Sequence, residues 1–182
     1  MPTPRVVRRR RRIRAALALL ALGLLVASVA RLYRIHLEHL APPSAEQLAS
    51  VSNVETALLE RVNRERAKAG REPLKLSARL AVIARGHSYD MAIRNYFAHE
   101  SPEGGGPGDR IRGVGLTYEQ VAENIYMEGF PDPSEMPDRA VKAWMASPPH
   151  RENMLSANFR ETGIGVARSS DGKTYVTQDF LR

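Results

Sequence analysis

The chain has 182 residues and a formal net charge of +7, from 27 Lys and Arg against 20 Asp and Glu. Nine of the basic residues are Arg at positions 1–34, where no acidic residue occurs; the rest holds 18 basic and 20 acidic residues, a net charge of −2 that argues against nucleic-acid binding. There is no Cys, which excludes a disulfide framework, a thiolate-bound metal and a thiol nucleophile.

Arg8–Arg12 and Arg14 lead into Ala15–Ala30, sixteen uncharged residues with Ser28 as the one polar side chain. As a helix this run spans about 24 Å. Leu32 and Tyr33 extend it toward the ~30 Å of a bilayer core. The excess of Arg before the run places the N-terminus in the cytoplasm and the remainder outside. The reading is a cytoplasmic Arg-rich segment at 1–14 and a single-pass transmembrane signal-anchor at 15–33. The alternative is a secreted form cleaved near Ala30, since Ser28-Val29-Ala30 offers small residues at the cleavage positions. The membrane is thus an expected partner, and nucleic acid is not. Residues 34–53, with Pro42-Pro43 and two solvated histidines, His36 and His39, read as a linker. Residues 54–182 are the size of one domain.

Within that domain Val51, Val54, Leu58 and Val62 recur at three- and four-residue steps, the pattern of an amphipathic helix, with Gly70 as its stop. Ser77 opens a second helix running to about Tyr96, with Leu80, Ile83, Ala84, His87 and Met91 on one face. Glu103–Gly108 reads as a loop and lacks the Lys-Ser/Thr ending of a phosphate loop. Val121–Met127 reads as a strand, 138–146 as a helix, and Ser147-Pro148-Pro149 as the opening of a short helix. Gly163–Arg168 and Tyr175–Leu181 form a hairpin turned by Asp171-Gly172. Helices followed by a terminal hairpin make the class α+β.

The chemistry rests on ionisable residues just beyond element ends: His99, Glu123 and His150. Ser101 is the evident hydroxyl near His99, although a Ser before a Pro more often forms a turn. His87 shares the apolar face of its helix and reads as a hydrogen-bonded core residue. Asn124 reads as a backbone brace, Trp144 as a core anchor, and Asp109-Arg110 as a local ion pair.

An ordered set of segments gives these residues a shared context: Leu58–Asn63 (LLERVN), Gly86–Met91 (GHSYDM), Tyr96–Pro102 (YFAHESP), Glu123–Ile125 (ENI), Ala143–Arg151 (AWMASPPHR), Gly163–Val166 (GIGV) and Thr177–Phe180 (TQDF). The set resembles the CAP superfamily, also called SCP/PR-1-like, in its short bacterial form. The resemblance implies a three-layer α–β–α sandwich with a central antiparallel sheet and an open cleft. It also implies a cleft lined by two His and two acidic residues able to hold a divalent ion such as zinc. His99, Glu123 and His150 fall on three of those positions. The fourth, a Glu after the Trp of its helix, has no match, because Met145, Ala146 and Ser147 follow Trp144.

Two functions follow. The favoured one is a non-catalytic module that binds a small molecule, lipid, peptide, glycan or cell-wall component in a cleft formed by His99, Glu123, His150, Ser101 and Asn124. The alternative is a protease-like hydrolase, metal- or serine-dependent, with Glu123 or His150 as the catalytic candidate.

Overall fold

Charged and apolar residues alternate at helical spacing from Ala45 onward, and the first helix, α1, runs from Ala45 to Lys68. The computed structural model describes residues 45–182. The cytoplasmic segment, the signal-anchor and the first part of the linker expected from the sequence lie outside them. Among the described residues no helix is long and apolar enough to cross a membrane. The helix starts inside the stretch read as a linker, nine residues before the boundary at 54. Val54, Leu58 and Val62 are buried as the periodicity requires. Gly70, at φ +66°, takes the left-handed conformation that ends the helix with little strain.

The remaining elements are β1 (Lys75–Leu76), α2 (Ala78–Arg94), α3 (Pro107–Gly113), β2 (Val121–Gly129), α4 (Met136–Ala146), α5 (Pro148–Leu155), β3 (Glu161–Arg168) and β4 (Lys173–Leu181). Two were not anticipated. Strand β1 has two exposed residues and no alternation to reveal it. Helix α3 opens within the glycine-rich loop, where Pro107 supplies a helical φ and Asp109 accepts the Gly106 N–H at 3.0 Å.

The sheet order is β1-β3-β4-β2. Strand β4 pairs antiparallel with both β3 and β2, but β1 joins β3 in parallel. The sheet is therefore mixed, which corrects the all-antiparallel sheet expected from the sequence. The reason lies in the connection, since α2 and the rest of the chain separate β1 from β3 and let the two run the same way.

The two sheet faces differ. Ile164, Val166, Val176 and Phe180 pack with Val54, Leu58, Val62 and Trp144 in the main core, beside α1, α4 and α5. The opposite face meets α2 backbone to backbone. A Cβ on Gly163 would lie 2.2 Å from the carbonyl carbon of Leu80, and one on Gly165 would lie 2.0 Å from the amide nitrogen of Arg85. Only glycine permits that approach. Ser88 then reaches the Gly165 carbonyl at 2.9 Å and the Thr177 hydroxyl at 2.8 Å. This close seating fixes His87, one residue away, over the sheet.

Candidate functional site

Glu123 lies on β2 directly opposite Asp179 on β4, so both carboxyls project from the α2 face of the sheet. The Glu123 side chain is 1% exposed. A buried carboxylate needs partners, and Glu123 has two: its Oε1 accepts from His99 Nδ1 at 2.8 Å, and its Oε2 accepts from Arg110 at 2.5 Å. His87 Nε2 lies 3.9 Å from the same carboxylate and donates instead to the Ala98 carbonyl at 2.9 Å. Burial pushes the His87 pKa down, against the pull of Glu123, so the ring is neutral in the fold.

His99 differs from the groups beneath it, with a side chain that is 48% exposed. Its Nδ1 faces a carboxylate and therefore carries the proton, so the neutral ring has its lone pair on Nε2. His150 enters from α5, on the other side of β2. Its backbone carbonyl accepts from Asn124 Nδ2 at 3.0 Å, and Asn124 Oδ1 accepts from Asn153 at 2.9 Å. Burial lowers the His150 pKa, and the nearby His99 imidazole lowers it further. Asn124, fully buried, thus braces α5 against β2 and presents no surface to the cleft that the sequence assigned it to. Ser101 is tied into its own turn, its hydroxyl accepting the Gly105 N–H at 3.2 Å.

The site contains two groups that the sequence did not single out. Arg110 is not paired with its neighbour, which corrects the local ion pair expected at Asp109-Arg110. Asp109 pairs with Arg112 at 2.6 Å, one helical turn on, while Arg110 turns inward to Glu123. Asp179 is fully buried, and neither of its oxygens has a hydrogen-bond partner. Burial, and then the charge of Glu123, raise its pKa well above the usual carboxylate range. A protonated Asp179 is the consistent state, since a second unpaired negative charge beside Glu123 would be costly. Its one sequence signal is a charged residue inside β4, whose neighbours are buried almost without interruption.

Each Glu123 oxygen already accepts one hydrogen bond, so a metal bound directly to Glu123 would have to share or displace the His99 or Arg110 contact. Among the described residues no group of three or more His, Asp or Glu side chains converges as a metal site. The ligating groups left open are the two imidazoles, with Glu123 behind His99.

Comparison with known proteins supplies the context. The model of the CAP, or cysteine-rich secretory protein, family matches residues 59–180. The Bacillus subtilis protein YkwD is 38% identical over 148 residues, covering 78% of this chain and 54% of that protein. The B. subtilis membrane protein YlbC is 33% identical, covering 70% of this chain and 34% of that protein. The chain thus spans about half or less of the length of these relatives. Among solved structures, an extracellular Bacillus anthracis protein containing an SCP domain superposes with a TM-score of 0.65 at 28% identity, covering 78% of this chain and 45% of that one. An outer surface protein of Borrelia burgdorferi has the same fold, with a TM-score of 0.63 at 17% identity, covering 71% of this chain and 92% of that one.

Proposed function

The chain belongs to the CAP, or cysteine-rich secretory protein, family, and from that premise we propose that residues 54–182 form an extracytoplasmic ligand-binding module tethered to the membrane by the apolar segment at 15–33. The observation that supports the binding reading is the engaged carboxylate: Glu123 is buried and each of its oxygens already accepts a hydrogen bond, from Arg110 and from His99, so acting on a water would mean sharing or giving up one of these contacts. Ser101 accepts the Gly105 N–H within its own turn, and among the described residues no imidazole or carboxylate hydrogen-bonds to its hydroxyl, so the serine-dependent hydrolase reading has no activated nucleophile. What faces solvent is His99, with His150 near it, and these are the groups that meet a ligand.

The ligand class is a lipid, peptide or cell-wall component, recognised in part by hydrogen bonds to the imidazole nitrogens. A divalent ion such as zinc belongs to the same proposal as an ion held by the two imidazoles, with Glu123 orienting His99 from behind. The extracytoplasmic position rests on the Arg asymmetry around residues 15–30, and the names of the B. anthracis and YlbC relatives agree with it.

The test presents the full chain, in detergent, to panels of lipids, glycans and peptides. A ligand retained by the wild type and lost by His99→Ala and His150→Ala supports the module. Turnover of peptide or ester substrates that disappears in Glu123→Gln would replace it with the hydrolase.

A further inference from the structure

Arg110 is the most highly connected side chain in the site. One end of its guanidinium donates to the His99 carbonyl at 3.0 Å and to the Gly105 carbonyl at 3.2 Å. The other end donates to Glu123 Oε2 at 2.5 Å. Glu123 Oε1 accepts from the ring of the same His99 at 2.8 Å. The contacts form a closed circuit: Arg110 holds the His99 backbone directly and the His99 ring through Glu123. The side chain of Arg110 is 18% exposed and that of Glu123 is buried, so their contact is shielded from competing water, while the His99 end of the circuit opens to solvent.

We propose that Arg110 is the positioning residue of the cleft: it fixes the Glu123 carboxylate so that His99 is held as the Nδ1–H tautomer and offers Nε2 to the cleft as a lone pair. The role requires arginine. Its two terminal nitrogens serve a loop carbonyl pair and a carboxylate at once, in one plane, whereas a lysine is a single point charge on a flexible stem. Helix α3 is what brings Arg110 there. Its short length places Asp109 and Arg112 toward solvent, where they pair with each other, and leaves Arg110 directed at β2. Without the guanidinium, Glu123 is left buried beside Asp179 with no cation to orient it. The His99 ring is then free to take its other tautomer. The inference concerns the state of the protein's own imidazole and does not depend on what the cleft binds.

Long-range 1H–15N spectra of the full chain in detergent micelles, labelled at histidine, report which ring nitrogen carries the proton. The wild type at mildly alkaline pH is expected to show one His99 tautomer, protonated at Nδ1. Arg110→Gln is expected to convert this to a mixture in which Nε2–H is substantial, with the amide spectrum unchanged away from residues 96–110 and the strand positions around Glu123 and Asp179. Arg110→Lys, which keeps the charge and is the milder change should Arg110→Gln fail to fold, is expected to leave the mixture largely unrestored. An unchanged Nδ1–H signature in Arg110→Gln, full restoration by Arg110→Lys, or an Nε2–H ring in the wild type would each overturn the proposal. The readout requires no ligand, so it fails or succeeds independently of the binding reading.

Discussion

The two faces of the central sheet solve the same packing problem by opposite means. Toward α1, α4 and α5 the strands present Ile164, Val166, Val176 and Phe180, and large apolar side chains fill the gap. Toward α2 the same strands present Gly163, Gly165, Thr177, Asp179 and Glu123. There the helix backbone itself fills the gap at the glycines, and polar groups collect beside it between two smaller apolar clusters, Met91 with Ile125, Ala167 and Tyr175, and Leu80 with Ile83, Ile111 and Leu181. The apolar face is stabilised by area removed from water, at roughly 25 cal/mol per Å². The polar face depends on how its buried groups are partnered: Glu123 is paired, whereas Asp179 has no partner among the described residues and is held protonated, and an unpaired group costs about 1–3 kcal/mol or more. The site occupies the face with little slack, so its groups hold one arrangement.

Substitutions separate the two modes of packing. The largest effect is expected for Gly165→Val, where even the first added carbon meets the α2 backbone at 2.0 Å. No folded protein is expected at ordinary growth temperature, as judged by soluble yield and circular dichroism. A well-folded variant would show that α2 is not seated as described. Next comes Glu123→Ala, which strips Arg110 of its buried partner; a loss of about 3–5 kcal/mol in denaturant unfolding is expected. A loss below about 1 kcal/mol would assign Arg110 to solvent instead.

Asp179→Asn tests the protonated carboxyl through pH. The folded state keeps a proton on Asp179 that the unfolded chain releases above an ordinary carboxylate pKa of about 3.9. The raised folded pKa is a stabilising contribution fully present below that value and lost as pH rises toward the folded pKa. The slope for one proton is about 1.4 kcal/mol per pH unit. Asn keeps the shape and cannot ionise, so the variant gains on the wild type as pH rises from about 4. A stability difference that is flat with pH would mean that Asp179 is ionised in the fold, with Arg110 as its counter-charge. The smallest effect is expected for Asp109→Ala. Its exposed pair with Arg112 contributes little, so thermal unfolding should register no more than the small loss of its hydrogen bond to the Gly106 N–H at the start of α3.

The apolar face was readable from the sequence because its rules are local. The spacing of Val54, Leu58 and Val62 marks α1, and Asp171-Gly172, with Gly172 at φ +87°, turns the hairpin. The polar face was readable only where short segments keep a family order, which is how His99, Glu123 and His150 came together as candidates. Arg110 and Asp179 escaped for different reasons. Arg110 is flanked by Asp109, so a local partner was the obvious one, while its actual partner lies thirteen residues on, across a loop. Asp179 gains its meaning from cross-strand register, which appears only once β2 and β4 are aligned. Strand β1 escaped because two residues carry no period.

The central claim is that Glu123 is a buried support locked by Arg110. The most direct measurement is a double-mutant cycle in denaturant unfolding, with Arg110→Gln, Glu123→Gln and the double variant of the full chain. The account predicts a coupling of about 1–3 kcal/mol, with the double variant more stable than the sum of the single losses implies. Additive losses would contradict it, leaving Glu123 free to act on a bound water or metal.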